Sequence, residues 1–144
     1  MSRTTLDTAA LAHDLRLAVM RFSRRLRNQR VDQSVTLTHL AALSTLRRHG
    51  PMSPGELASH ERVQPPSMTR TVNCLVDLGL VAKAPHPTDG RQVVVTLTEA
   101  GEAEVEETRR RRNTWLAAQL DAMTAEERQL LADATELLRR IAQA

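Results

Sequence analysis

Residues 52–101, MSPGELASHERVQPPSMTRTVNCLVDLGLVAKAPHPTDGRQVVVTLTEAG, carry the signals that decide the fold of this chain of 144 residues. Ser53-Pro54-Gly55-Glu56 has the form of a capping box. The Ser hydroxyl accepts from an orphan backbone N–H, the Glu three residues on reaches back, and Pro suits the first helical position. The helix opened there continues through Leu57 and Ala58 to about Glu61. Pro65-Pro66 restart a helix, because proline is tolerated only in the first turn, and this one runs to Leu78 with Gly79 placed to cap it. Leu80-Val81 and Val93–Leu97 are β-rich, and the turn residues Pro85-His86-Pro87-Thr88-Asp89-Gly90 separate them, which predicts a β-hairpin with a long tip. A short helix, a tight turn, a longer helix and a hairpin, in that order, make the plan of a winged helix-turn-helix. Its second helix is of a size to enter the major groove of DNA.

That second helix divides cleanly at about 100° per residue. Pro66, Thr69, Arg70, Asn73 and Asp77 share one face, and Met68, Val72 and Leu75 lie opposite. A groove-reading helix needs this split, with an apolar side seated on its domain and short polar groups turned to base edges. Any amphipathic surface helix has it too, so the preceding capped helix and the following hairpin carry the weight. In the hairpin, Arg91 would project beyond the domain, where a guanidinium can enter the minor groove. Asp89 is placed to pair with it and pre-orient it. Asp89-Gly90 by itself suits a type I′ turn, common in any hairpin.

Working outward, the first helix is expected from about Leu6 to Arg30, with Leu11, Leu15, Ala18, Val19, Phe22 and Leu26 on one face. A second begins at Thr38 as N-cap, runs through Leu40, Leu43 and Leu46, and ends at Gly50-Pro51. After the hairpin, Thr98-Glu99 starts a long charged helix reaching about Leu120. Thr124-Ala125-Glu126-Glu127 is a second capping box, opening a last helix with Leu130, Leu131, Ala134, Leu137, Leu138 and Ile141 on its apolar side. Phe22 and Trp115 are the only aromatics, so Leu, Val and Ala do most of the packing. A helical protomer built that way gains by burying apolar surface against a second copy.

The formal net charge is +3, which by itself favours a polyanionic partner only weakly. Its distribution says more. Residues 1–33 hold seven Arg against three Asp, residues 34–98 six basic against four acidic groups, and residues 99–144 seven Arg against ten acids. A polyanion would meet the first two thirds. Lys83 is the only lysine, a bias that coding composition explains more simply than selection for phosphate binding. One cysteine rules out an internal disulfide framework and fits a reducing compartment. No run approaches the ~20 apolar residues of a membrane helix, and no secretory leader is legible; a cytoplasmic protein is expected.

The run Glu56-Leu57-Ala58, Ser67-Met68-Thr69-Arg70, Leu75, Gly79-Leu80-Val81, Asp89-Gly90-Arg91 and Leu97-Thr98-Glu99-Ala100-Gly101 resembles the MarR family, the multiple-antibiotic-resistance regulators. The resemblance implies an α+β, mostly helical fold: a winged helix-turn-helix with N- and C-terminal dimerisation helices. It implies a single domain over 1–144, with a DNA-binding lobe at 34–100 and a helical dimerisation region at 1–33 plus 101–144. Ser67, Thr69, Arg70 and Asn73 would then read or brace the major groove, and Arg91 would be the minor-groove finger with Asp89 its partner. Leu11, Leu15, Leu137, Leu138 and Ile141 would build the homodimer. The implied partner is a pseudopalindromic operator met by recognition helices ~34 Å apart. The implied function is a repressor released by a small, commonly anionic aromatic ligand, with His13, Arg16 and Arg21 as candidate pocket residues. Ala82-Lys83 departs from the pattern, since many members place a basic residue directly after Gly-Leu-Val.

Other chemistry has little support. Cys74 lies between the two faces of the recognition helix and reads as a small packing residue. His13, His39, His49, His60 and His86 do not pair with Cys or carboxylates at metal-ligand spacing, so no metal is expected. Arg109–Arg112 occupy successive positions, cannot share one face, and are expected to be solvated or paired with Glu104–Glu107 one turn earlier, a phosphate contact being the lesser alternative. No nucleophile–base pair, phosphate loop or carboxylate dyad is present, so neither an enzyme nor a cofactor is expected. Two rivals remain at this point: a helical protein-interaction subunit that never touches DNA, and a metal-responsive winged-helix sensor.

Overall fold

A computed structural model describes residues 6–144. The elements follow in the order α1 (Thr8–Arg27), α2 (Leu37–His49), α3 (Pro54–Glu61), α4 (Pro65–Asp77), β1 (Val81–Pro85), β2 (Val93–Leu97), α5 (Glu99–Asp121) and α6 (Ala125–Ala142). They form two compact units, one of the chain up to Leu26 together with Arg112–Ala144, the other of Arg27–Arg111. The sequence reading divides the chain at 33/34 and 100/101 instead, because it ends the lobe at an element boundary. The unit actually runs on through the first half of α5.

In the central unit, α2, α3 and α4 pack with the antiparallel pair β1–β2 around Val35, Leu40, Leu43, Leu46, Leu57, Met68, Val72, Leu75, Val81 and Val95. The ladder runs from Val81 opposite Leu97 to Pro85 opposite Val93. β1 is longer than the Leu80-Val81 of the sequence reading. Ala82, Lys83 and Ala84 have little strand preference of their own, and the β-branched partner strand draws them into register. Pro85 ends the strand, where its missing N–H costs nothing. Met52 adds a third chain segment to the sheet, exchanging backbone hydrogen bonds with Val95 at 3.2 and 2.8 Å.

The helix starts refine the sequence reading. α2 is capped by Thr36, not Thr38: the Thr36 hydroxyl accepts from His39 N–H (3.2 Å), and His39 Nδ1 accepts from Thr36 N–H (3.1 Å). Histidine here takes the role that the usual capping pattern gives to Glu or Gln. Burial holds the His39 pKa below its ordinary value, which keeps the ring in the neutral form that can accept. At α3 the Ser53 hydroxyl accepts from Glu56 N–H (3.1 Å) as expected, but the Glu56 carboxylate takes that hydroxyl (3.3 Å) rather than the backbone of Ser53. The box at α6 is complete, with Thr124 Oγ1 and the Glu127 carboxylate each serving the other's N–H (3.1 and 2.9 Å).

One contact ties the end of α4, the base of the hairpin and the start of α5. Thr98 N–H donates to the Leu80 carbonyl (3.1 Å), and the Thr98 hydroxyl donates to the Gly79 carbonyl (2.6 Å) while accepting from Gly101 N–H (3.1 Å). Gly79 takes φ +75°, which only glycine adopts freely. Gly101 lies so close to the Leu80 carbonyl that a Cβ added there would stand 2.0 Å from its oxygen. Leu97-Thr98-x-x-Gly101 is thus a clasp that excludes every side chain at its last position.

Unit one contains α1, the end of α5 and α6. Neither α1 nor α6 has a buried residue among those described. Leu11, Leu15, Val19, Met20 and Phe22 on α1, and Leu130, Leu131, Leu137, Leu138 and Ile141 on α6, are all exposed, Ile141 by 63%.

Gly101→Ala should cost at least about 3 kcal/mol, the upper end of overpacking penalties, because the obstacle is backbone rather than a movable side chain. A urea-unfolding midpoint close to wild type would show that α5 can shift to admit the methyl group.

Candidate nucleic-acid interface

α4 divides as its sequence demands. Met68, Val72 and Leu75 are buried, while Pro66, Thr69, Arg70, Asn73 and Asp77 are exposed and Ser67 is half-buried. Thr69 Oγ1 donates back to the Pro65 carbonyl (3.0 Å), and Thr71 Oγ1 to the Ser67 carbonyl (3.1 Å). Arg70 Nη2 reaches Ser67 Oγ (3.4 Å). Asn73 Oδ1 accepts from Lys83 Nζ on β1. That bond was not foreseen: Lys83, the position where the sequence departs from the MarR pattern, braces a polar side chain of α4. Ten residues separate the two, and nothing local signals their approach. Cys74 is exposed, which corrects its reading as a packing residue; the buried stripe through Val72 and Leu75 passes beside it.

The turn between α3 and α4 is tightened by Arg62, the only described non-glycine residue at positive φ (+54°). Its N–H caps α3 on the Ala58 and Ser59 carbonyls. Two further contacts fasten α3 to α2. The Thr45 hydroxyl donates to Glu61, and the His49 and His60 rings stack with centroids 4.5 Å apart. Sequence spacing, which considered histidine only with Cys or carboxylates, gave no sign of that pair. Among the described residues no three His, Cys, Asp or Glu side chains gather where they could hold a metal ion.

In the hairpin tip, Arg91 is exposed and its N–H donates to Asp89 Oδ1 (3.1 Å). The expected Asp89–Arg91 ion pair is absent among the described residues. The carboxylate is spent on the backbone, in an Asx turn, and shapes the loop instead of holding the guanidinium. Gln92 N–H closes the turn on the Asp89 carbonyl (3.0 Å), and Gly90 does not take the positive φ of a type I′ turn.

The charges sort by place. Arg47 on α2 pairs with Glu106 (2.6 Å) and Glu102 (3.6 Å) of α5, and this hydrogen bond, followed by the charge of Arg109, holds the Glu106 carboxyl below its usual range. Arg109, Arg110 and Arg111 pair with Glu106 and Glu107 one turn back, as the spacing predicts. Glu104 is pushed up, mainly by burial and then by the charge of Asp32, and its Oε1 has no partner among the described residues. By contrast Arg48, Arg62, Arg70, Lys83 and Arg91 make no ion pair among the described residues. Arg62, Arg70, Lys83 and Arg91 of the helix-turn-helix and the wing are thus among the cations without an ion pair. His13, Arg16 and Arg21 lie exposed on α1.

A buried-backed helix presenting polar groups, a tight helix-turn-helix and a hairpin tipped by arginine define a winged-helix DNA-binding protein. The chain belongs to the MarR family, whose model matches residues 35–93. It is 50% identical over 130 residues to an HTH-type transcriptional regulator of Mycobacterium tuberculosis, covering 90% of this chain and 91% of that one. It is 30% identical over 112 residues to the transcriptional repressor MdtR of Bacillus subtilis, covering 78% and 70% respectively. Among solved structures, a transcriptional regulator from Pseudomonas aeruginosa superposes with a TM-score of 0.80 at 30% identity over 94% of this chain and 95% of that one. The protein is a DNA-binding transcriptional regulator, and regulators of this family bind DNA as dimers and respond to small molecules.

Arg62→Gly should raise stability slightly. It removes about 1 kcal/mol of left-handed strain, partly offset by the freer unfolded chain. A lower urea midpoint would show that contacts of the arginine side chain outweigh the strain.

Proposed function

We propose that this protein is a homodimeric repressor that binds a pseudopalindromic operator and leaves it when a small ligand binds. The observation that carries the DNA contact is the exposed polar face of α4, backed by a fully buried one. Ser67, Thr69, Arg70 and Asn73 meet the major groove, Arg70 at a base edge. Arg91 enters the minor groove from the wing, where narrow A·T-rich steps concentrate negative potential. Asp89 shapes the loop that presents it.

The dimer is supported by α1 and α6. Each lays out an apolar stripe at helical spacing, and neither buries any of it within the chain. Exposed apolar surface costs about 25 cal/mol per Å² relative to burial, so a second copy that covers Leu11, Leu15, Leu137, Leu138 and Ile141 recovers that free energy. Two-fold symmetry then matches the operator. Repression is supported by the MdtR relative. The effector is proposed as a small anionic aromatic molecule, which binding would couple to the spacing of the two recognition helices. No described helix is long and apolar enough to cross a membrane, and the proposed site of action is the cytoplasm, on chromosomal DNA.

Selection of bound duplexes from random DNA should enrich a two-fold-related motif; failure to enrich any sequence would sink the operator reading. On such a duplex Arg91→Ala should weaken binding and lower the salt slope by roughly one, whereas unchanged affinity and slope would remove the wing from the interface. Truncation after Thr124 should abolish the dimer in sedimentation, and a folded dimer that persists would refute the α6 interface.

A further inference from the structure

The hairpin tip is organised around one imidazole. His86 Nδ1 accepts the backbone N–H groups of Thr88 (3.2 Å) and Asp89 (3.1 Å), and the Thr88 hydroxyl lies 3.2 Å from the same nitrogen. His86 N–H donates to the Gln92 carbonyl (3.0 Å), and Gln92 N–H to the Asp89 carbonyl (3.0 Å). Asp89 in turn receives Arg91 N–H. An unbroken run of hydrogen bonds thus leads from the His86 ring to the backbone on either side of Arg91. Two N–H donors on one ring nitrogen require a lone pair there, so the ring carries its hydrogen on Nε2 and is neutral. The sequence reading assigned His86 only to the turn-rich tip.

We propose that His86 is the positioning residue of the wing: the lone pair of its Nδ1 holds Thr88 and Asp89 in the turn that presents Arg91 to DNA. This rests on the wing being a DNA-contact arm. The tip is exposed, has no buried apolar side chain, and contains no regular structure between Pro85 and Val93. Local hydrogen bonds are what order it, and only a ring nitrogen with its lone pair free accepts the Thr88 and Asp89 N–H groups.

The test uses the full-length protein in two measurements. Without DNA, an imidazole ¹⁵N correlation spectrum should show His86, assigned by its loss in His86→Asn, as the Nε2–H tautomer near pH 8, with the Thr88 and Asp89 amides shifted in His86→Ala. An Nδ1–H tautomer would overturn the proposal whatever the wing does. On a duplex enriched from random DNA, His86→Ala should bind about fivefold more weakly than wild type, the worth of about one net hydrogen bond. His86→Asn should restore most of that affinity, because its amide oxygen accepts from the same N–H groups and does not titrate. His86→Ala binding like wild type while Arg91→Ala does not would refute His86 and keep the wing. Arg91→Ala without effect would instead refute the wing reading itself.

Discussion

The carbonyls of Gly79 and Leu80 are held by Thr98, and Gly101 lies against that of Leu80 in a contact too close for any side chain. Three elements meet there. α4 ends at Asp77, the hairpin begins at Val81, and α5 begins at Glu99. Backbone groups and one short hydroxyl make this clasp, so the angle between α4 and the hairpin beside it rests on no long flexible side chain there. Buried Leu75, Leu80, Val81 and Val95 fill the space beneath. The Lys83–Asn73 bond adds a polar tie between the same two elements, on the exposed side.

On this frame the charges are divided between two tasks. Arg109, Arg110 and Arg111 of α5 are occupied by Glu106 and Glu107, and Arg47 joins α2 to Glu106 and Glu102. Exposed pairs of this kind contribute at most about 1 kcal/mol each, but they remove cations from competition for an anionic partner. The cations of α4 and the wing have no such neighbours. A modest net charge of +3 therefore understates how positive α4 and the wing are.

The helices outside the central unit follow a different logic. α1 and α6 have regular apolar stripes, and α6 a complete capping box, yet neither has a fully buried residue among those described. On the proposed reading a second copy covers these stripes, and folding is then coupled to dimerisation.

Capping residues, prolines and glycines made the helix-turn-helix, the hairpin and the starts of α3 and α6 legible in the sequence, because each acts on its own backbone within four residues. The buried and exposed faces of α4 were legible for the same reason, through helical periodicity. What depends on residues distant in the chain was not. The Lys83–Asn73 bond, the Met52 bridge to Val95 and the Gly101–Leu80 approach come from packing. Local competition also misled: Asp89 was assigned to the Arg91 guanidinium but binds the nearer N–H, and Thr36 rather than Thr38 caps α2 because His39 completes its box. The sequence by itself determined which segments are helix, turn and wing, and which face of α4 is apolar. Only the tertiary structure decided which polar side chains remain free for DNA, since that depends on the neighbours that folding brings within hydrogen-bond reach.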